Sequence, residues 1–66
     1  MFPNLEAEQA RNRHTNEEVA KRLGISRQAY EHKKKCGTFK LKEINTLIEI
    51  YGVDFSYLFA LNAYAS

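Results

Sequence analysis

The sequence predicts an all-α domain of five helices. No stretch alternates apolar and polar residues with the period of two that a strand requires. Gly24 and Gly52 each follow an apolar periodic segment, at positions where a helix would end. Thr15 and Glu18 have the T-x-x-E spacing of a helix capping box. At 66 residues the chain forms one domain, which is too small to enclose a large substrate pocket.

The first two helices are predicted from caps and apolar spacing. The first starts after Asn4, as its cap, and runs to about Asn12, with Leu5 and Ala10 facing inward. The second begins after Thr15. Val19, Ala20 and Leu23 form its apolar stripe. Gly24 ends the helix, because glycine adopts positive φ without a Cβ penalty.

The third helix is predicted from Arg27 to about Lys35, with Ser26 as its cap. A wheel of 100° per residue separates two sides of this helix. The inward positions are Ala29, Tyr30 and Lys33. The outward positions and their flanks are Arg27, Gln28, Glu31, His32, Lys34 and Lys35. Most of the outward side chains can form directional hydrogen bonds.

The fourth helix has apolar residues spaced for one buried face. Those positions are Leu41, Ile44, Leu47, Ile48 and Tyr51, and Gly52 ends the helix. Asp54 caps a fifth helix from Phe55 to about Tyr64, which is more apolar than so small a domain needs. Two interpretations stay open for its surplus of apolar residues: they form a two-fold dimer contact, or they belong entirely to the intramolecular core and the end of the segment frays.

The charge is distributed unevenly along the chain. The net charge is only +2, but residues 21–42 carry eight Lys and Arg against one Glu, a net of +7. The remaining residues carry two Arg against seven acidic residues, a net of −5. Such polarity predicts one face that attracts a polyanion, although a merely solvated charged surface is the simpler alternative.

Several function classes are disfavoured by the residues present. Cys36 is the single cysteine, so no internal disulfide forms and a reduced, cytoplasmic setting is expected. His14 and His32 are far apart and have no four-ligand spacing, so we expect no metal and no cofactor. No nucleophile–base pair, carboxylate dyad or phosphate loop indicates an enzyme. Neither a membrane-spanning run nor a signal peptide is apparent.

The helix–turn–helix segment resembles a known family. Thr15–Gln28, TNEEVAKRLGISRQ, is similar to the phage repressor and Cro type of regulators, also called XRE-like. Phe39–Ile44 and Tyr51–Phe59 match the family too, so the resemblance covers about Leu5 to Phe59. It implies a compact five-helix domain with the helix-turn-helix at about 16–35. Such a domain binds operator DNA, usually as a dimer, and regulates transcription as a repressor.

Two departures from the family pattern have structural consequences. Lys33 occupies an inward position that is usually apolar, so its stem must pass the edge of the core. Lys40 stands where a Ser or Thr cap is expected, so the fourth helix is expected to begin loosely.

The outward side of the third helix supplies the predicted base contacts. The resemblance implies that this recognition helix enters the major groove. Arg27 can bond bidentately to guanine O6 and N7, and Gln28 to adenine N6 and N7. Glu31 and His32 lie one turn further on. Glu31 either accepts from cytosine N4 or holds Arg27 as an i,i+4 partner, and we favour the second role.

A second group of side chains is predicted to contact phosphates. These residues are Asn16, Lys34, Lys35, Thr38 and Lys40. Asn16 stands at the start of the second helix, where the helix dipole favours an anion. The lysine run could instead be a solvated helix end that interacts with its own terminal carbonyls.

The sequence therefore predicts a double-stranded DNA-binding regulator with no catalytic residues and no small-molecule ligand. Its partner is DNA, with a homodimer through the C-terminal segment left open. The alternative is a protein-binding module on the same fold, such as an antirepressor or an antitoxin-like partner subunit, because fold does not fix function.

Overall fold

Five helices and no strand occur in residues 1–62, the part of the chain that this computed structural model describes. The helices are α1 (Pro3–Arg11), α2 (Asn16–Leu23), α3 (Arg27–Cys36), α4 (Leu41–Tyr51) and α5 (Phe55–Leu58). The all-α prediction is therefore confirmed. Over the described range, no helix has the length and apolar character needed to cross a membrane.

The ends of α2 and the start of α3 are formed as the sequence predicts. Thr15 Oγ1 accepts from the Glu18 N–H at 3.1 Å, and Glu18 Oε1 accepts from the Thr15 N–H at 2.8 Å. Gly24 ends α2 with a φ of +74°, in the left-handed region. Ser26 Oγ then accepts from the Ala29 N–H at 3.1 Å. These contacts fix the short turn between α2 and α3.

The core lies where the helices meet, and α2 packs mainly on α3 and α4. The buried apolar residues of the core are Phe2, Leu5, Val19, Ala20, Tyr30, Leu47 and Leu58. Phe2, Phe39 and Phe59 form an aromatic cluster with ring centroids 5.2–6.1 Å apart. This cluster joins the start of the chain to the residue that follows α5 and to the segment before α4.

The beginning of the chain differs from the prediction. Helix α1 starts at Pro3, which suits the first helical position because no backbone N–H is needed there. Asn4 is therefore not the cap. Its Nδ2 donates to the Tyr57 carbonyl at 2.9 Å and ties α1 to α5. Leu5 is buried as predicted, but Ala10 is exposed.

Helix α5 is much shorter than predicted. It ends at Leu58 rather than near Tyr64. The Ala60 N–H donates to the Tyr57 carbonyl at 3.3 Å, an i→i+3 bond that tightens and closes the last turn. The predicted helix beyond residue 62 lies outside the described residues.

The start of α4 also differs from the prediction. Leu47 is fully buried, but Leu41 is 73% exposed because Phe39, two residues earlier, packs against the core instead. Lys40 does not leave a loose end: its N–H donates to Glu43 Oε1 at 2.9 Å. The Glu43 side chain thus satisfies the N–H of the cap residue, while residue 40 offers no side-chain acceptor to the first-turn N–H groups as a Ser or Thr would.

Candidate nucleic-acid interface

The outward side of α3 presents the four predicted base-contact residues to solvent. Arg27, Gln28, Glu31 and His32 are all exposed. The Arg27 guanidinium lies 3.9 Å from Glu31 Oε2, and these side chains are 58% and 43% exposed. Such an exposed pair contributes only about 0.2–1 kcal/mol, so Arg27 can exchange it for another acceptor.

The single cysteine of the chain, Cys36, is the last residue of α3. Cys36 is exposed, and its Sγ lies 3.9 Å from His32 Nδ1. His14 lies elsewhere, with Nδ1 3.0 Å from the Tyr51 hydroxyl. Within residues 1–62, no three His, Cys, Asp or Glu side chains are grouped so that they could hold a metal ion.

The predicted phosphate contacts differ in how far they are exposed to solvent. Lys35, Thr38 and Lys40 are exposed, whereas Asn16 is half-buried. Lys34 is only 8% exposed, so its predicted place beside the outward side is wrong. A side chain in a helix leans toward the N-terminal turn, and Lys34 follows Tyr30 by four residues on the same face.

The Lys34 ammonium group has three bonded neighbours inside the fold. Nζ lies 3.0 Å from Glu6 Oε1, 3.3 Å from Gln9 Oε1 and 2.8 Å from Asn16 Oδ1. It also lies 4.8 Å from the centroid of the Tyr30 ring, a cation–π distance. Lys34 therefore joins α3 to α1 and to the start of α2.

The side chain of Gln9 connects the same three helices. Its Nε2 donates to the His14 carbonyl at 3.1 Å and to Asn16 Oδ1 at 2.8 Å. Its Oε1 accepts from the Tyr30 hydroxyl at 2.8 Å and from Lys34. Burial raises the pKa of Tyr30, which keeps this hydroxyl protonated as a donor. Both ends of the Gln9 amide are thus used.

Asn16 carries this network to the outward side of α3. Its Oδ1 accepts from Gln9 and Lys34, and its Nδ2 donates to Glu31 Oε2 at 3.0 Å. The first residue of α2 therefore lies beside the middle of α3. An anion bound at the start of α2 would lie next to the exposed side of α3.

A second internal ion pair joins α3 to α4. Lys33 Nζ lies 2.9 and 3.1 Å from the two carboxylate oxygens of Glu43, with side-chain exposures of 16% and 7%. Burial raises the pKa of Glu43, but the Lys40 N–H and the Lys33 ammonium group outweigh it and lower the pKa overall. The Lys33 stem does pass the core edge, as predicted, and its partner was not foreseen.

Sequence patterns did not predict Glu6, Gln9 and Glu43 as acceptors of these lysines, although two of them carry a recognisable signal. Gln9 follows the buried Leu5 by four residues and so shares its face of α1. Glu43 follows Lys40 by three residues, the spacing of a capping-box acid. Glu6 is mostly exposed and carried no such signal.

Comparison of the chain with protein-family models, with curated proteins and with solved structures finds no match in any of the three.

Proposed function

We propose that this chain is a helix-turn-helix protein with a phage-repressor-like fold that binds double-stranded DNA sequence-specifically and represses transcription. One observation carries the proposal: the outward side of α3 is polar, cationic at its start and exposed, while buried Tyr30 and two internal lysine contacts hold its other side. A rigid helix with such a side suits the major groove, which admits one α-helix.

The base contacts would come from the first turns of α3. Arg27 would bond to guanine O6 and N7, and Gln28 to adenine N6 and N7. His32, one turn further on, is the third candidate reader. Glu31 has a different role, since its carboxylate already accepts from Asn16 and lies near Arg27.

The phosphate contacts would come from the exposed residues around α3. Lys35, Thr38 and Lys40 remain the candidates, and these contacts position the protein without reading sequence. Asn16 has a second amide hydrogen besides the one that Glu31 accepts, and it stands at the α2 N-terminus. Lys34 is not carried into this set, because its ammonium group is bonded within the fold.

A second copy of the chain would dock near α5. Phe55 and Leu61 are 54% and 67% exposed and border an apolar groove. That groove is lined by Phe2, Gly37, Phe39, Ile44, Phe55, Phe59 and Leu61. Binding to two half-sites one turn of DNA apart would require this contact to set the two α3 helices about 34 Å apart.

A protein-binding module is the second candidate function. The same groove and the exposed Leu41 favour it, because large exposed apolar residues also mark surfaces for other proteins. A pull-down that finds a protein partner, together with no DNA shift at low salt, would select this candidate over the first.

Selection of bound oligonucleotides from a random pool tests the first candidate directly. We expect enrichment of a motif with two-fold symmetry and an affinity that falls steeply with salt, because lysines and arginines displace counterions from DNA. A pool that stays random, or a flat salt titration, would contradict the proposal.

A further inference from the structure

We propose that Lys34 is a positioning residue for base recognition, acting through Asn16 on Glu31 and so on Arg27. The inference rests on the proposed function and deepens it. Lys34 contacts no base and no phosphate in this scheme. Its role is to keep the Glu31 carboxylate turned toward α2, which leaves the Arg27 guanidinium available to a guanine.

The first step is the fixed position of the Lys34 ammonium group. Its three N–H donors match three acceptors, on Glu6, Gln9 and Asn16, at 2.8–3.3 Å. The residue is 8% exposed, so water does not easily replace these partners. A buried ammonium with every donor used has little freedom to move.

The second step is the orientation of the Asn16 amide. Its Oδ1 faces two donors, Lys34 Nζ and Gln9 Nε2, and its Nδ2 faces the Glu31 carboxylate. A flipped amide would place its NH₂ group against those donors and its oxygen against the carboxylate. Both contacts would be repulsive, so Lys34 and Gln9 together select one orientation, and Lys34 also helps to orient Gln9 by donating to its Oε1.

The third step is competition for Arg27. Glu31 Oε2 accepts from Asn16 at 3.0 Å and lies 3.9 Å from the Arg27 guanidinium. Without the Asn16 donor, the Glu31 carboxylate would form a closer i,i+4 pair with Arg27. That pair competes with guanine for the same fork of donors, and base discrimination falls.

The experiment measures discrimination at the base pair that Arg27 reads, which is identified as the position that Arg27→Ala relaxes. A bidentate arginine–guanine contact provides about 5- to 150-fold discrimination. We expect Lys34→Met to reduce it by roughly two- to fivefold, which is as much as an exposed ion pair can compete, with the salt dependence of binding unchanged. The matched control Lys35→Met should weaken all sequences alike and reduce the salt slope by about 1.

Two further variants keep the test decisive if Lys34→Met does not fold, which circular dichroism would reveal. Asn16→Asp retains an acceptor for Lys34 but places a carboxylate oxygen against Glu31, so discrimination should fall in the same way. Adding Glu31→Ala to either variant removes the competitor and should restore discrimination. A merely structural role for Lys34 would give no such rescue.

The outcomes separate the two proposals. Wild-type discrimination in Lys34→Met and Asn16→Asp, or no rescue by Glu31→Ala, overturns the positioning role while DNA binding stands. A salt slope that falls by about 1 in Lys34→Met assigns it a direct phosphate contact instead. If the unaltered chain binds no DNA at low salt, the proposed function fails and this inference with it.

Discussion

The two sides of α3 carry similar residue types and use them in opposite ways. On the outward side, Arg27 and Glu31 form a loose pair at 3.9 Å between exposed side chains. On the inward side, Lys33 and Lys34 form short contacts with side chains of α4 and α1. Of three consecutive lysines, only Lys35 is exposed. A cationic run therefore does not reveal by itself how much charge is available to a polyanion.

The difference follows from desolvation. An ammonium group that loses water must regain its hydrogen bonds within the protein, and both inward lysines do so. An exposed group keeps its water and can exchange it for a ligand at little cost. We expect the inward side to determine stability and the outward side to determine binding, and the following predictions test that division.

The largest effect is expected from truncation of the inward aromatic residue. Tyr30 is fully buried and donates its hydroxyl hydrogen to Gln9. Tyr30→Ala should lower the free energy of unfolding by about 3–5 kcal/mol, because it leaves a cavity and removes one of the two donors to Gln9 Oε1. His32→Ala, two residues away on the outward side, should change it by less than about 0.5 kcal/mol. Equal losses in urea denaturation would contradict the division.

A smaller effect is expected from loss of the α3–α4 ion pair. Lys33→Met keeps the stem but removes the partner of the buried Glu43 carboxylate. The free energy of unfolding should fall by about 1.5–3 kcal/mol, as for a hydrogen bond to a charged group. Lys35→Met is the matched control and should stay within about 0.5 kcal/mol of wild type. A control as unstable as the variant would mean that all these lysines act alike.

The outward side should show its effect only on DNA. We expect Arg27→Ala to cost roughly 1–3 kcal/mol of binding at one base pair, whereas Lys35→Ala should weaken all sequences alike. Neither should alter thermal unfolding by much, because both side chains are exposed. Affinities on operator and random DNA measure both effects, and equal losses for the two variants would remove the distinction between reader and anchor.

The smallest expected effect is a pH dependence on the inward side. The folded state lowers the pKa of Glu43 below its ordinary 4.5, so the stabilisation by this carboxylate is complete above that pH. It is lost as the pH falls through the lowered pKa. The difference in unfolding free energy between wild type and Glu43→Gln should therefore be constant near neutral pH and shrink in acid. A difference independent of pH would show that Glu43 acts only by packing.

Local sequence patterns correctly predicted the features of the fold that depend on a few adjacent residues. The capping box at Thr15, the turn at Gly24 and the cap at Ser26 all formed as the sequence predicts. The predictions failed where contacts between segments that are distant in sequence determine the structure. Asn4 bonds to Tyr57, 53 residues away, and no local pattern announces that contact.

The candidate site shows the same division. The helical wheel correctly exposes Arg27, Gln28, Glu31 and His32, since only the geometry of one helix is involved. It misplaces Lys34, because a long side chain bends toward acceptors that another helix supplies. Which lysines are internal depends on packing between helices, and the period of a single helix cannot contain that information.

Cys36 is a natural site for attaching a spectroscopic label at the end of α3. It is the single thiol of the chain, it is exposed, and it ends the helix that carries the candidate readers. A maleimide-linked spin label would attach there without any substitution. In a symmetric pair on DNA, two such labels would give one inter-label separation by pulsed electron resonance, so the spacing of the paired helices is open to direct measurement.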